Sequence, residues 1–118
     1  MSINAENVEK WVAALRGGEY LQGKSTLRNG DKYCCLGVAC DLYRKATWRG
    51  EWTPVNDSCW NFKLDGDLSS GIMPKAVAAW LGLGSRDPTL GDSCATEMND
   101  GGKSFAQIAD AIEQEFLK

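Results

Sequence analysis

Apolar residues recur at helical spacing near both ends of the chain. In the stretch 5–16 they are three and four residues apart, which predicts a helix with Asn4 as its N-cap. A second stripe runs through 105–116. Ser104, just before this stripe, and Gln107, in its first turn, have the spacing of a capping box, in which each residue's side chain accepts a hydrogen bond from the other's backbone. The chain therefore begins and ends in amphipathic helices.

Apolar and polar residues alternate in the middle of the chain. Two runs, 48–52 and 59–64, have the period of two that is typical of strands with one buried face. Earlier in the chain, Asn29-Gly30 is a strong two-residue hairpin turn. Such a turn would place Arg28 opposite Asp31 on paired strands.

Three shorter elements complete the prediction. The small and apolar residues of 35–44 indicate a buried helix that a neighbouring segment can approach closely. Pro74 is expected at the first position of a helix through Leu81, which Gly82 ends. Asp92 is expected to cap a brief turn that reaches Met98. Together these elements predict an α+β fold, with three or four short helices packed on a small antiparallel sheet.

The length and composition favour one compact domain spanning residues 1–118. The apolar fraction of 43% and the charged fraction of 25% are ordinary for a globular protein. No apolar run approaches the roughly 20 residues of a membrane span, and the first residues do not have the form of a signal peptide. We therefore expect a cytoplasmic protein that does not bind membranes.

The chain has no histidine and five cysteines. Without histidine, Ser-His-Asp and Cys-His catalysis and the usual zinc hydrolase sites are excluded. The odd number of cysteines, with no C-x-x-C pair, indicates neither a disulfide framework nor a zinc ribbon. Cys34-Cys35 stands where a strand leads into a helix, so a reactive thiol at Cys35 is one alternative, but its apolar surroundings favour packing. We expect no cofactor, no metal and no catalytic residue.

Residues 18–25 match the phosphate-loop signature G-x-x-x-x-G-K-[ST]. That loop binds phosphate when it connects a buried strand to a helix. Here a predicted helix precedes the motif and a predicted hairpin follows it. The match is therefore interpreted as coincidence, and nucleotide hydrolysis is not expected.

The net charge of −3 is unevenly distributed. Residues 10–49 carry eight basic and three acidic side chains, whereas residues 86–118 carry three basic and seven acidic ones. One interpretation is two solvated faces, and the other is a positive patch for an anionic ligand or an acidic protein. An isoelectric point near 4.9 argues against non-specific DNA binding.

Several aspartates could in principle form a carboxylate pair or hold a metal ion. Asp65-Gly66-Asp67 is only a fragment of a calcium-loop pattern, because Ala76 stands where the loop's last glutamate would be. Asp87, Asp92 and Asp100 also lie beside turn-forming residues. Aspartate is favoured in turns without any metal, so a carboxylate-dependent hydrolase is the least favoured alternative.

Three tryptophans within thirteen residues, interleaved with basic side chains, resemble a stacking platform. If these tryptophans face solvent they form the binding hot spot, and if they face inward they belong to the core. A second basic group lies around the hairpin. The candidate binding residues are Trp48, Trp52, Trp60, Arg44, Arg49, Lys24, Arg28 and Lys32.

Three segments also carry a family resemblance. They are Gln22-Gly23 with the run Tyr33–Tyr43, the helix opened by Met73-Pro74, and the run Met98–Phe105. In these segments the chain resembles a group of small, functionally uncharacterised proteins encoded by bacteriophages and prophages, while residues 46–70 form the variable part. The resemblance implies a viral origin, a location in the host cell cytoplasm and no particular activity.

These observations together favour a binding protein over an enzyme. The first hypothesis is a phage accessory protein that binds a host factor stoichiometrically, such as a component of an antiviral defence system. The alternative is a sponge for an anionic small ligand such as a nucleotide. A homo-oligomer is compatible with both hypotheses.

Overall fold

The computed structural model describes residues 3–117, and their α+β architecture confirms the predicted fold class. The helices are α1 (Ala5–Arg16), α2 (Cys35–Thr47), α3 (Lys75–Leu81), α4 (Ala95–Asp100) and α5 (Phe105–Ile112), and a π-helical segment (Glu113–Leu117) follows α5. The strands are β1 (Leu21–Gln22), β2 (Arg28–Asn29), β3 (Lys32–Tyr33), β4 (Glu51–Pro54), β5 (Cys59–Leu64), β6 (Asp67–Ser69), β7 (Thr89–Leu90) and β8 (Ser93–Cys94).

The main sheet is organised around β5. One edge of β5 pairs with β4, and the other pairs with β2 near its start and with β6 near its end, all antiparallel. Strand β3 pairs antiparallel with β2 and parallel with β1, so β1 lies at the far edge. Strands β7 and β8 form a separate two-stranded sheet.

The core lies where α1 packs against both α5 and α2. Trp11 of α1 is fully buried, and its Nε1 donates a 2.9 Å hydrogen bond to the carbonyl oxygen of Cys35. Ile108 and Ile112 of α5 are fully buried in the same apolar cluster. At the rim, Arg16 Nη2 lies 2.6 Å from a carboxylate oxygen of Asp110. The predicted apolar stripes at the two ends thus cover each other.

The helix caps largely follow the predictions. Asn4 accepts a hydrogen bond from the amide of Asn7, and Ser104 and Gln107 form the predicted capping box. Pro74 is the N-cap of α3 rather than its first residue. The prediction of Asp92 as a cap is wrong, because Asp92 lies between β7 and β8 and α4 begins only after Cys94.

Helix α2 approaches the segment before β2 unusually closely. A Cβ at Gly37 would overlap the carbonyl oxygen of Leu27, so only glycine fits there. The Leu27 carbonyl accepts a hydrogen bond from the amide of Cys34 just before the helix begins. The expectation that small residues admit a close neighbour to this helix is confirmed.

The hairpin register differs from the prediction. The loop residues are Gly30 and Asp31, so Asn29 pairs with Lys32, and Arg28 pairs with Tyr33 rather than with Asp31. Gly30 has φ +61°, the left-handed conformation that a two-residue hairpin loop demands of its first loop position. The one-residue shift brings Arg28 against an aromatic ring instead of a carboxylate.

Helix α2 also extends further than its apolar pattern indicates. It continues through Thr47, and Trp48 is its C-cap in the left-handed conformation, with φ +60°. The backbone N–H of Trp48 donates to the carbonyl oxygen of Arg44. The strand predicted over 48–52 is therefore only partly correct, because β4 begins at Glu51.

Candidate functional site

One face of the main sheet carries a chain of aromatic contacts. The register pairs Trp52 with Phe62 and Arg28 with both Tyr33 and Trp60, and side chains of paired residues lie on the same face. Edge-to-face contacts then link Tyr33 to Trp52 at 5.7 Å and Trp52 to Phe62 at 5.0 Å between ring centroids. We call this surface, with Tyr20 at its end 5.1 Å from Tyr33, the aromatic face.

Arg28 covers part of the aromatic face. Its guanidinium carbon lies 4.2 Å from the centre of the Trp60 ring and 5.3 Å from that of Tyr33. Arg28 Nε donates a 2.8 Å hydrogen bond to the carbonyl oxygen of Gly30, which fixes the side chain over the rings. A cation over aromatic rings contributes about 0.5–2 kcal/mol. Arg28 therefore occupies a ring surface on which a planar ligand would stack.

A buried carboxylate anchors the far end of the aromatic face. Asp41 of α2 is only 3% exposed, and it accepts hydrogen bonds from Tyr20 Oη at 2.7 Å and from Trp52 Nε1 at 3.0 Å. Burial alone would raise the pKa of the Asp41 carboxyl. Donors from Tyr20, Trp52 and Arg44 outweigh that effect and lower its pKa below the ordinary value.

Two cations flank this carboxylate at the surface. Arg44 Nη2 lies 3.0 Å from Asp41 Oδ1, and Lys45 Nζ lies 3.4 Å from Asp41 Oδ2. Both cationic side chains are at least two-fifths exposed, whereas the carboxylate is buried. Because one negative charge faces two positive ones, this end of α2 presents a positive surface to solvent.

Trp48 lies three residues after Lys45 and is almost fully exposed. Its relative exposure is 92%, the highest among the exposed large apolar side chains of residues 3–117. The neighbouring Arg49 is also exposed, and its Nη2 lies 2.7 Å from Asp65 Oδ1. We call Arg44, Lys45, Trp48 and Arg49 the Trp48 surface.

The remaining candidate binding residues do not form one site. Trp52 and Trp60 are half-buried in the aromatic face, whereas Trp48 is exposed to solvent. The three tryptophans therefore do not form a single stacking platform. Lys24 and Lys32 are exposed, and Lys32 lies beside the backbone of Gly23. Among residues 3–117, no ion pair or cation–π contact joins these two lysines to the aromatic face.

The segment with the phosphate-loop signature is held by the last residue of α4. The backbone N–H of Ser25 donates a 2.9 Å hydrogen bond to Asp100 Oδ1, where a phosphate oxygen would lie in a nucleotide site. The segment runs from the end of α1 through β1, not from a strand into a helix. The structure around this segment therefore supports the interpretation of the motif match as coincidence.

Asn99, the residue before Asp100 in α4, ties three distant segments together. It is fully buried, and its Nδ2 donates to the carbonyl oxygen of Gly23 at 2.7 Å. Its Oδ1 accepts from the amide of Cys35 and from Gln22 Nε2, each at 3.1 Å. Because these bonds satisfy a buried amide, Asn99 serves the fold rather than a ligand.

The cysteines at the start of α2 have the properties of core residues. Cys34 and Cys35 are at most 4% exposed, and Cys40 is fully buried. Burial raises the pKa of the Cys34 thiol to about 11, although backbone donors from Gly37 oppose the shift. Burial also raises the pKa of Cys35 well above its ordinary value. The reactive-thiol alternative required the opposite shift.

Among residues 3–117, no group of three or more cysteine, aspartate or glutamate side chains comes together in a way that could hold a metal ion. No helix among those residues is long and apolar enough to cross a membrane.

A family model covers almost the whole chain. It is described as a domain of unknown function, DUF8296, and it matches residues 3–116. The chain belongs to the DUF8296 family. Searches of curated proteins and of solved structures found no significant match.

Sequence reasoning on this DUF8296 chain missed the residue that organises the aromatic face. Asp41 stands between Cys40 and Leu42 in an otherwise apolar helix, and a lone carboxylate in such a helix requires buried partners. This pattern in the sequence identifies Asp41 as a residue with buried partners. Its partner Tyr20 was not identifiable, because it lies twenty-one residues away in a loop.

Proposed function

We propose that this protein acts by binding a macromolecular partner stoichiometrically, with Trp48 as the anchor. One observation carries the proposal: Trp48 combines a left-handed backbone with 92% exposure. A bulky residue at positive φ is strained, and glycine is the usual residue at this cap position. Strain of this kind clusters at functional sites. Because the Trp48 indole is almost fully exposed, it adds little to folding stability. A role in binding accounts for a tryptophan at this position.

The surroundings of Trp48 indicate the chemistry of the partner. Arg44, Lys45 and Arg49 lie within four residues of Trp48 in the sequence, and each side chain is at least 40% exposed. Tryptophan and arginine are the residue types most enriched in binding hot spots. The excess of positive charge here favours an acidic protein surface. The partner is therefore proposed to be a protein with an acidic patch around an apolar pocket.

The biological setting of the proposal rests on the sequence resemblance to phage and prophage proteins. In that setting the protein is an accessory factor in the host cytoplasm, and its partner is a host protein such as a component of an antiviral defence system. Blocking a host protein requires affinity and stoichiometric expression. It requires none of the catalytic groups that the composition excludes.

The test is a matched comparison of two exposed apolar positions. Tagged wild-type protein, Trp48→Ala and Val55→Ala are expressed in bacterial cells, and captured proteins are quantified by mass spectrometry. Val55 is 58% exposed and lies outside the Trp48 surface, so it serves as the control. The Kd of the purified partner is then measured for all three proteins. We expect Trp48→Ala to weaken binding by ~2 kcal/mol or more, about 30-fold, and Val55→Ala to have little effect.

Two further measurements make the test decisive. Affinity for the purified partner should fall as salt concentration rises, because the exposed cations of the Trp48 surface are screened. A stoichiometric complex should form at equal concentrations of the two proteins. A partner that binds wild-type protein and Trp48→Ala equally well would refute the proposal.

A further inference from the structure

The guanidinium of Arg28 lies among three aromatic rings. Its central carbon is 4.2 Å from the ring centre of Trp60, 5.3 Å from that of Tyr33 and 5.6 Å from that of Trp52. Arg28 pairs in register with Tyr33 on one side and with Trp60 on the other, so the three side chains share one face of the sheet. The hydrogen bond from Arg28 Nε to the Gly30 carbonyl holds the near end of the guanidinium. The group is therefore positioned before any ligand binds.

The two Nη atoms of Arg28 have no partner in the protein and reach solvent. Among residues 3–117, Arg28 forms no ion pair, and its side chain makes no hydrogen bond other than the one from Nε. In that part of the chain, Ser69 Oγ is the one buried side-chain nitrogen or oxygen without a hydrogen bond. The unbonded Nη atoms of the half-buried Arg28 are therefore accessible, and the same holds for Trp60 Nε1 and Tyr33 Oη.

The accessible polar atoms are suited to a ligand that accepts hydrogen bonds. The Nη groups of arginine and the N–H of an indole only donate, and a tyrosine hydroxyl can donate as well. A guanidinium stacks through its planar face, while the N–H groups along its edge match the two oxygens of a carboxylate. The unpaired edge of Arg28 therefore fits a carboxylate.

Charges around Tyr33 favour a ligand with a single negative charge. Burial raises the pKa of the Tyr33 hydroxyl; Asp41 and Asp31 also raise it, whereas Arg28 and Arg44 lower it. Two carboxylates and two guanidiniums thus act on the same ring. A second charge on a ligand would gain little net attraction there, yet it would cost more to remove from water. The binding energy must come from direct hydrogen bonds to Arg28, which a monoanion already makes.

The surrounding rings favour an aromatic body beside that carboxylate. Tyr33, Trp52 and Trp60 are each partly exposed, and contacts between aromatic rings stabilise a complex beyond the area that they bury. We propose that Arg28 and these three rings, together called the Arg28 site, bind a small aromatic carboxylate. Its oxygens accept hydrogen bonds from the Nη groups, and its ring lies against the exposed ring edges. The Arg28 site shares no residue with the Trp48 surface, so this inference does not rest on the proposed function.

NMR titration of wild-type protein with matched probes tests the ligand class. The probes are benzoate, its neutral amide benzamide, acetate and phenyl phosphate. We expect benzoate to bind at least about tenfold more tightly than benzamide, because charge-assisted bonds are the stronger kind. It should bind at least about threefold more tightly than acetate, which has no ring. No binding of benzoate at millimolar concentration, equal binding of benzamide or acetate, or preference for phenyl phosphate would each overturn the proposal.

The same spectra locate the bound probe. Benzoate should shift the Nε–H signal of Arg28 and the indole N–H signals of Trp52 and Trp60. The indole N–H of Trp48 is the internal control, because it lies outside the Arg28 site, and it should not move. Shifts at Trp48 without shifts at Arg28 and Trp60 would place the probe elsewhere and refute the site.

Charge-matched variants complete the test. Arg28→Gln should weaken benzoate binding about tenfold or more, and Arg28→Lys about threefold or more, because lysine keeps the charge but lacks the planar fork. Lys32→Gln is the control: Lys32 is exposed on the opposite face of the sheet, since it pairs with Asn29 next to the Arg28–Tyr33 pair. Its affinity should stay within about twofold, because an exposed charge is screened.

Melting temperatures show whether each variant is folded. Arg28→Gln loses the bond to Gly30 and the contacts with the rings, so Arg28→Lys decides the result if Arg28→Gln does not fold. Unchanged benzoate affinity in the folded Arg28 variants, or an equal loss in Lys32→Gln, would refute the assignment to Arg28.

Discussion

The backbone amide of Ser25 donates to the carboxylate of Asp100, seventy-five residues further along the chain. This bond occupies a donor that a phosphate loop would offer to its nucleotide. It also joins the end of the phosphate-loop signature to the C-terminal end of α4. The segment that matches a binding motif therefore makes a structural contact within the fold.

We therefore predict no magnesium-dependent hydrolysis of ATP or GTP. Lys24 is exposed, so Lys24→Ala should change the free energy of unfolding by no more than about 0.5 kcal/mol. Asp100→Ala should lower it by about 1 kcal/mol, because the Ser25 amide loses its acceptor. Phosphate release assays and denaturant unfolding provide the measurements. Turnover that Lys24→Ala abolishes would contradict the prediction.

Trp48 and Trp52 should respond in opposite ways to substitution. Trp48→Gly should raise the free energy of unfolding by about 0.5–1 kcal/mol, because glycine adopts the left-handed cap without strain and the indole is exposed. Trp52→Ala should lower it by about 3 kcal/mol, because it removes ring contacts and a donor to Asp41. Urea unfolding of both variants gives the comparison.

Gly82→Ala is the control for the cap argument. Gly82 ends α3 at φ +76°, so alanine there should be destabilising, opposite in sign to Trp48→Gly. If Trp48→Gly lowered stability instead, the indole would have a packing role that its exposure conceals.

The buried cysteines should resist thiol reagents in the native state. Cys34, Cys35 and Cys40 are buried, and their raised pKa values keep them protonated at neutral pH. Cys59 and Cys94 are half-exposed and should react first. Peptide mapping after brief native labelling, with a denatured sample as reference, distinguishes the two groups. Rapid modification of Cys35 in the native protein would restore the reactive-thiol alternative.

Asp41 should make stability fall in acid. Its carboxyl has a lowered pKa in the folded state, so the unfolded chain binds more protons below the ordinary value of 3.8. The stabilisation is present above that pH and is lost as the pH falls toward the folded-state pKa. Asp41→Asn should cost about 1–3 kcal/mol at neutral pH. It should also flatten the acid limb of a plot of unfolding free energy against pH.

An acid limb that is equally steep in wild-type protein and in Asp41→Asn would assign the effect to other carboxylates. The exposed Asp57 provides the control substitution, since Asp57→Asn should leave the profile unchanged.

Local signals predicted much of this fold. The helix caps at Asn4 and Ser104 and the alternation over 59–64 depend on residues close in sequence, and all three predictions are confirmed. The end of α2 differs from the prediction for two reasons. Tryptophan is not a residue type that favours a left-handed cap, and the alternation of Trp48 with Trp52 resembles a strand.

The candidate site was less predictable, because long-range contacts decide it. Whether Arg28 faces solvent or covers Trp60 depends on a hairpin register and on the pairing of β2 with β5. Neither relationship leaves a periodic trace in the sequence.

The packing of α1 against α5 has a consequence for synthesis on the ribosome. The apolar stripe of the first helix is only partly covered until Phe105–Ile112 leaves the exit tunnel, since α2 and these residues together supply its partner surface. The bonds from Asn99 to Gly23 and Cys35 likewise wait for most of the chain. A nascent chain arrested before α5 should therefore bind chaperones and be cut readily by proteases, and compaction should come in a single late step.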